Sequence, residues 1–442
     1  MTRFLSAIDG NERRVFKLHL AYALLEGVTL GVLALNEFVF VKSLRGSSYQ
    51  LGLLFQFSMM VFLFLVFLNE FLRRMRRRRE LLRYAFLFSR LPLLLIAFFP
   101  VSLSGVESQP WWHAVFLGLF LVYYLGTPII FPSINLLLKH NYAPENFGRL
   151  YSISTSAGKV VMLVVTFIYG YWLDHNPYIF VSVFPVLAIL GVISGFILAE
   201  IPFPQPESER PSRSFLSSVR DSINNMVNVL KENEPYRHFE IGFMIYGFGF
   251  MATVTVIILF FYEGLNLSYS SVAFYRNVYN ILAIILLPFF GKLIGILGPR
   301  RFATISYGSV ALYVSTLILT QWWPASFQLG MITIYYGLIA YVLFHGIFAA
   351  TMPLLWNIGS AYFCKPSEAG LYQEIHLSLT GFRAIFAPLL GVVFYEWLGF
   401  TLTFLIGIII LISSIIFMVW SYYQVPLARF ETLETERLAE EP

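Results

Sequence analysis

Three charged side chains lie deep inside apolar stretches of this chain and are the residues best placed to do chemistry. Glu26, Lys159 and Arg383 each lie roughly 15–18 Å from one end of their stretch, at about 1.5 Å per helical residue. An ionised side chain at that depth in a bilayer is costly, so it either pairs with another group or serves a function. The sequence therefore predicts a buried polar site.

Both cations belong to polar stripes at helical spacing. The two stripes are Ser152, Thr155, Ser156 and Lys159, and His376, Thr380 and Arg383. Residues three, four or seven apart share one helix face. A shift of 224 residues superposes Ser156 on Thr380 and Lys159 on Arg383, which predicts two cations on opposite sides of one cavity, with an anionic solute between them. The alternative is that either cation pairs with Glu26 or caps carbonyl groups.

Three protonatable side chains are candidates for ion coupling or solute binding. Glu26 either carries a coupling proton, because burial favours its neutral form, or is the counter-ion of Lys159 or Arg383. His345 and His376 can change charge near physiological pH. His345 is a candidate for substrate binding and His376 for proton coupling, and the alternative for each is a hydrogen-bonded packing role.

The composition is that of a membrane protein. Hydrophobic residues make up 58% of the 442 residues and charged residues 12%, and the mean hydropathy is +0.71, whereas soluble domains carry about 25% charged residues. A helix needs about 20 mostly apolar residues to cross a bilayer. We number the predicted spans 1 to 12, near residues 16–40, 49–72, 82–104, 112–138, 149–173, 177–199, 239–262, 270–294, 302–321, 328–356, 371–397 and 400–423. The expected fold class is all-α and polytopic.

The distribution of basic residues predicts the orientation. The loop between spans 2 and 3 carries an arginine run from Arg73 to Arg83, whereas the loops on the other side carry only Lys42, Arg45 and Arg276. The positive-inside rule then places both termini in the cytoplasm of a bacterial inner membrane. The net charge of +5 is thereby explained by topology, and no nucleic-acid partner is expected.

A polar segment divides the spans into two groups of six. We expect one bundle over residues 1–199, a cytoplasmic linker over 200–238, a second bundle over 239–428 and an acidic tail over 429–442. Within the linker, apolar residues recur at helical spacing, which predicts an amphipathic helix that lies on the membrane surface or packs against the bundles. These residues are Phe215, Val219, Ile223, Met226 and Leu230.

Motifs of enzymes are missing from the sequence. It contains no His-Glu-x-x-His, Gly-x-Ser-x-Gly, Gly-Lys-Ser/Thr or Cys-x-x-Cys, so we expect neither an enzyme nor a metal site or cofactor. Cys364 is the single cysteine, which excludes an intrachain disulfide. The expected partners are a small-molecule substrate, a coupling ion (a proton rather than sodium) and the lipid bilayer, for a protein that is monomeric.

The two groups of spans carry a repeated pattern. Asn135 precedes Gly148 by thirteen residues and Asn357 precedes Gly370 by thirteen, each in the loop after the fourth span of its group. Parallel repeats related by an axis along the membrane normal are a transporter feature. The sequence therefore favours two bundles of related structure.

The loop after span 8 carries a more specific pattern. It reads Gly-Lys-Leu-Ile-Gly-Ile-Leu-Gly-Pro-Arg-Arg from Gly291 to Arg301, and it resembles the Gly-x-Leu-x-Asp-Arg-x-Gly-Arg-Arg signature of the major facilitator superfamily, with Gly295 at the acidic position. In the first half, Glu70 can occupy that position ahead of the arginine run. Residues that follow the signature are candidates for gating, since such cations pair in one state and release in another. The candidates are Glu70, Arg76, Gly291, Gly298, Arg300 and Arg301.

The resemblance implies two six-helix bundles that move as rigid bodies around a midplane cavity, and secondary transport of a small anionic or zwitterionic solute. It places spans 4 and 10 along the cavity, so Tyr123 becomes a candidate for substrate binding, against a packing role. It places span 3 at the periphery, so Arg90 is expected to snorkel or pair toward the cytoplasmic headgroups. The alternatives are a lipid flippase and a membrane receptor or assembly factor without transport.

Overall fold

The computed structural model describes residues 9–74, 77–203, 214–365 and 368–425. The predictions for Arg76 and for the tail over 429–442 concern residues outside these ranges.

Twelve membrane spans are present in the described part of the chain. Ten helices are long and apolar enough to cross a membrane, and two of them, Tyr269–Trp322 and Ala369–Gln424, contain a sharp break. The breaks lie at Gly298 (φ 70°) and Gly399 (φ 73°), where a glycine is needed because other residues resist a positive φ. Each of these two helices thus supplies two spans, which confirms the predicted number and the all-α class.

The first six spans follow the predicted order. Their helices are Gly10–Leu33 and Asn36–Lys42 in span 1; Ser48–Met60, Val61–Phe64 and Leu65–Arg74 in span 2; Arg78–Arg90 and Leu91–Phe98 in span 3; Trp111–Leu125 and Thr127–Asn141 in span 4; Pro144–His175 in span 5; and Phe180–Leu198 in span 6. A short helix, Leu103–Glu107, lies between spans 3 and 4. The break predicted between spans 5 and 6 is present, because span 5 ends at His175 and span 6 begins at Phe180.

The second six spans follow the linker helix Phe215–Glu232. They are Glu234–Leu259 with the π-helical turn Phe260–Gly264 in span 7; the two parts of Tyr269–Trp322 in spans 8 and 9; Tyr336–Ile358 in span 10; Ala369–Ala384 with the first part of Ala387–Gln424 in span 11; and the remainder of Ala387–Gln424 in span 12. A 3-10 turn, Ser360–Phe363, follows span 10.

Several boundaries differ from the prediction by five residues or more, and the structure gives the reason for two of them. Span 10 begins at Tyr336 and not near 328, because strands Ser326–Leu329 and Ile332–Tyr335 form an antiparallel hairpin. Gly330, at a φ of 62°, makes the turn between them. Span 7 begins at Glu234 and not near 239, because Asn233 caps the helix by accepting a hydrogen bond from the Tyr236 N–H at 3.0 Å.

Close helix packing within each half rests on small residues. A Cβ on Gly27 of span 1 would lie 2.4 Å from the carbonyl oxygen of Gly158 in span 5, and a Cβ on Gly391 of span 11 would lie 1.9 Å from that of Ala252 in span 7. Small residues let the two backbones of each pair approach closely. The halves thus use equivalent contacts, spans 1 and 5 in the first and spans 7 and 11 in the second.

The halves are joined by hydrogen bonds at one end of the bundle. We call the end with helix Phe215–Glu232 the linker face and the other end the opposite face. At the opposite face, both carboxylate oxygens of Asp174 accept hydrogen bonds from the first N–H groups of span 8, at Tyr269 (2.7 Å) and Ser270 (2.8 Å). Lys42 also donates to the Leu267 carbonyl at 2.6 Å. The opposite face is therefore closed.

The structure has a helix, Phe215–Glu232, where the sequence predicts the linker helix, and this helix packs against the ends of spans 2 and 11. Its residues Val219 and Met226 are buried, whereas Ile223 is exposed. The helix therefore contacts both halves at the linker face.

Candidate functional site

A cavity of about 250 Å³ lies between the two halves. We call it the central cavity. Its polar wall comes from spans 1, 8, 9 and 10, and phenylalanine, valine and isoleucine side chains of spans 2 and 7 complete it. The polar lining residues are Glu37, Tyr275, Arg276, Tyr279, Tyr313, Tyr341 and His345.

The central cavity contains an ion pair that crosses from one half to the other. Arg276 Nη2 of span 8 lies 3.6 Å from Glu37 Oε2 of span 1, and 20% and 15% of the two side chains are exposed. This separation is longer than a hydrogen bond, and the buried Oε2 atom of Glu37 has no hydrogen-bond partner. The pair offers one carboxylate and one guanidinium to a bound molecule.

Aromatic rings fix the position of His345. Its imidazole stacks on Tyr279, with 3.8 Å between centroids and 3° between planes, and on Tyr313, at 4.7 Å and 11°. Its Nδ1 atom shares a hydrogen bond of 2.8 Å with the Tyr341 hydroxyl. The prediction that His345 belongs to the binding site agrees with this place on the cavity wall.

Glu26 and Tyr123 lie in the first half, away from the central cavity lining. Arg90 Nη2 lies 3.0 Å from Glu26 Oε1, and the Arg90 guanidinium lies 3.8 Å from the centre of the Tyr123 ring. The expectation that Glu26 pairs with Lys159 or Arg383 is wrong. Of the two roles expected for Arg90, it pairs and does not snorkel, since its partner is Glu26 and only 6% of its side chain is exposed. Gly191 of span 6 leaves room for its stem, 3.0 Å from where a Cβ would be.

Arg383 is buried within the second half. Its Nη1 atom donates to the Phe243 carbonyl at 2.6 Å, and its Nε atom has no hydrogen-bond partner. The guanidinium fills the space left by Gly247, whose Cβ would lie 1.8 Å from Arg383 Cζ. Lys159, in contrast, is exposed and lines a narrow gap of about 50 Å³ with Asn280 and Ala349. The structure does not bring the two cations to one cavity.

The other stripe residues also separate. Ser156 is exposed on span 5, whereas Thr380 is buried and its hydroxyl has no hydrogen-bond partner. His376 Nδ1 lies 2.9 Å from Glu240 Oε1 in span 7, and both side chains are almost fully buried. The shift of 224 residues relates positions in sequence, but the two helices present these positions to different neighbours.

The candidate gating residues in the described part of the chain lie toward the linker face. Gly298 ends span 8, and the following Arg300 is buried and donates to the Ser421 carbonyl (2.7 Å) and the Val425 carbonyl (2.6 Å) at the end of span 12. A cation there also interacts favourably with the helix dipole. Arg301 lies 3.9 Å from the centre of the Tyr422 ring. Gly291 borders open space, and Glu70 is buried near the end of span 2.

Sequence reasoning missed both members of the central pair. Glu37 lies near the predicted end of span 1, and Arg276 was assigned to the side with few cations. The sequence does contain a signal for this pair, because Glu37 and Arg276 each fall inside a predicted span, near the same side of the membrane.

The family follows from most of the chain. A family model described as Major Facilitator Superfamily matches residues 20–373. The chain belongs to the major facilitator superfamily. No curated protein matches the chain in sequence.

Solved structures of transporters share this superfamily fold. The nucleoside transporter NupG aligns with a TM-score of 0.61 and 14% identity, over 94% of this chain and 99% of that chain. The xylose transporter XylE from E. coli, partially occluded and inward open, gives 0.63 and 13%, over 95% and 98%. An auto-inhibited peptide transporter of the POT family gives 0.64 and 11%, over 94% and 98%.

Membership confirms the coarser predictions from sequence. This superfamily member is a multi-pass membrane protein and a secondary transporter of small solutes, and the expectation that it is not an enzyme is confirmed.

Proposed function

We propose that the chain moves a small anionic or zwitterionic solute through the central cavity by alternating access, coupled to protons. The observation that carries the proposal is the Glu37–Arg276 pair, which is held loosely, crosses between the halves and lines a cavity. Charged groups of a solute can bind these two side chains in one state. Rigid-body movement of the halves would then separate them and release the solute.

Lys159 has a proposed place on the route to the cavity. Its gap is also lined by Ala283 and Ala349, each one helical turn beyond the cavity residues Tyr279 and His345. An exposed cation there would raise the local concentration of an anionic group. Arg383 stays a proposed substrate-binding residue, and its guanidinium lies against the Phe243 and Tyr246 rings.

Two buried groups are proposed carriers of the coupling proton. Glu26 Oε1 binds Arg90, while Oε2 is buried without a hydrogen-bond partner and is free to take up a proton. His376 shares its Nδ1 atom with Glu240, and its Nε2 atom is buried without a partner. Protonation at either site would change the charge of one half.

The proposed orientation places the linker face in the cytoplasm of a bacterial inner membrane, with both termini on that side. The cation distribution supports it. A cysteine at Ser214, the first residue before the linker helix, should react with an impermeant reagent only in inverted vesicles. Labelling in intact cells would contradict this orientation.

The similar structures support a small polar organic solute, because their names state nucleosides, xylose and peptides. The flippase alternative needs an apolar path for acyl chains between the halves, and the charged pair in the central cavity argues against it. The receptor alternative predicts binding without flux. We propose that the transporter acts as a monomer.

The decisive experiment measures solute-dependent proton movement in proteoliposomes that contain a pH-sensitive dye. A panel of carboxylates, amino acids and short peptides is added under an imposed pH gradient. At least one should move protons through the native protein, and the double substitution Glu37→Gln and Arg276→Gln should abolish this movement. A matched double substitution at the exposed pair Glu234 and Arg237 should leave it unchanged.

The same assay tests coupling. If Glu26 carries the proton, Glu26→Gln should abolish accumulation driven by the pH gradient and leave solute exchange intact. If His376 carries the proton, His376→Gln should have these effects. Loss of exchange together with loss of folding in both variants would make both groups structural. Binding without flux in the native protein would favour the receptor, and movement of labelled lipid alone would favour the flippase.

A further inference from the structure

We infer that the solute of the central cavity is a zwitterion about the size of a single amino acid, with its carboxylate on Arg276, its ammonium group on Glu37 and a planar ring against the tyrosine wall. This inference rests on the proposed function of the central cavity and names the class of molecule that it takes.

The size follows from the volume. The cavity holds about 250 Å³, and pockets for drug-sized ligands hold about 300–1,000 Å³. A cavity just below that range fits one amino acid and not a lipid or a long peptide. The lining also comes from six spans of both halves, so the site encloses a small molecule on several sides.

The charge type follows from the pair itself. An anion would bind Arg276 and leave Glu37 without its counter-ion, and a cation would do the reverse. Either outcome leaves one buried charge uncompensated, which is strongly unfavourable. A zwitterion keeps the site neutral and replaces a contact of 3.6 Å with two charge-assisted hydrogen bonds. The Oε2 atom of Glu37, which makes no hydrogen bond, is the acceptor that an ammonium group would use.

The ring preference follows from the walls. Tyr275 and Tyr279 lie on either side of Arg276 in span 8, and Tyr313, Tyr341 and the rings of Phe55 and Phe250 surround the remaining volume. Aromatic rings gain from stacked and edge contacts beyond the burial of their surface. The stack of Tyr279, His345 and Tyr313 holds these rings in fixed orientations, so little side-chain freedom is lost when a ring binds.

The test uses the purified full-length protein and its thermal unfolding, because a ligand that binds the folded state raises the unfolding temperature. The ring zwitterions are L-phenylalanine, L-tyrosine and L-tryptophan. The matched probes that each lack one feature are 3-phenylpropionate, which lacks the ammonium, 2-phenylethylamine, which lacks the carboxylate, and L-leucine, which lacks the ring. At least one ring zwitterion should bind about tenfold or more tightly than every matched probe.

Single substitutions in the pair should change which ligand charge the cavity prefers. Glu37→Gln leaves Arg276 as a lone cation, so 3-phenylpropionate should become the better ligand, and Arg276→Gln should favour 2-phenylethylamine. Should a single variant fail to fold, the double substitution Glu37→Gln and Arg276→Gln removes both charges together and should fold without binding any ring zwitterion. Tyr279→Leu should reduce the preference for L-phenylalanine over L-leucine, and the exposed Tyr423→Leu should not.

The outcomes separate this inference from the proposed function. The inference is overturned if no ring zwitterion binds, if a matched probe binds equally well, or if neither single variant changes the charge preference. Proton-coupled flux of another solute would then leave the proposed function intact. Binding of a ring zwitterion without flux would support the ligand class and contradict transport.

Discussion

Two buried ion pairs in this molecule have the same chemistry and different positions. Glu26 and Arg90 both belong to the first half and lie 3.0 Å apart, under the Tyr123 ring. Glu37 and Arg276 belong to different halves and lie 3.6 Å apart in a cavity. Both acids lie on span 1, eleven residues apart.

These different positions determine what each pair can do during alternating access. A pair within one half moves with that half as a rigid body, so it stabilises the bundle in every state. A pair between halves must change its distance when the halves move, so it stabilises one state relative to the other. An ion pair within one half therefore stabilises the fold, whereas an ion pair between the halves stabilises one conformation.

The largest effect should come from breaking the pair within the first half. Arg90→Met keeps most of the side-chain volume but leaves the Glu26 carboxylate buried without its cation. Such a loss costs about 3–5 kcal/mol in the free energy of unfolding. Thermal unfolding in detergent should show a large decrease for Arg90→Met, and the double substitution with Glu26→Gln should recover most of it. A stable Arg90→Met protein would mean that this pair does not hold the bundle.

A smaller effect should come from the connection between the halves at the opposite face. Asp174→Ala removes the acceptor of two N–H groups at the start of span 8, which costs about 1 kcal/mol. The lost hydrogen bonds stabilise only the state that is closed at this face. The population of the closed state should therefore decrease about fivefold relative to the open state.

The measurement uses a cysteine at Ala273, which is buried beside Gly170 of span 5. An impermeant maleimide should label it several times faster in the Asp174→Ala background. Asp9→Ala is the matched control, because Asp9 caps span 1 within its own half and its loss should leave the labelling rate unchanged. Equal rates in both backgrounds would show that Asp174 does not hold the halves together.

The smallest effect should come from a partly exposed group of three charges within the first half, at the linker face. Hydrogen bonds from Arg79 and Arg83 hold the pKa of Glu200 below its ordinary value. A lowered pKa stabilises the fold above the unfolded pKa of about 4.3, and this contribution is lost as the pH falls through the lower folded value. Glu200→Gln should therefore destabilise the protein by less than about 1 kcal/mol at pH 7, and the difference should shrink as the pH falls below about 4.3 and in high salt. A difference that grows toward low pH would contradict this assignment.

The number of spans, the break between spans 5 and 6 and the linker helix could all be predicted from the sequence. These features are local, because a run of about 20 apolar residues must cross a bilayer wherever it occurs. The helical spacing of Val219 and Met226 likewise predicts a buried face before any partner is known. The hairpin before span 10 was missed because its apolar residues, such as Leu329, Ile332 and Ile334, run on into the apolar helix that follows.

Only the tertiary structure decided which partner each buried charge takes. Glu26 meets Arg90 because spans 1, 3 and 6 pack together, with Gly191 leaving room for the arginine stem. Glu37 meets Arg276 across the boundary between the halves, 239 residues away in sequence. A repeat in the sequence fixes neither helix rotation nor helix contacts. Lys159 and Arg383 correspond in the repeat and still lie in different surroundings, because contacts such as that of Gly247 with Arg383 depend on how the helices pack.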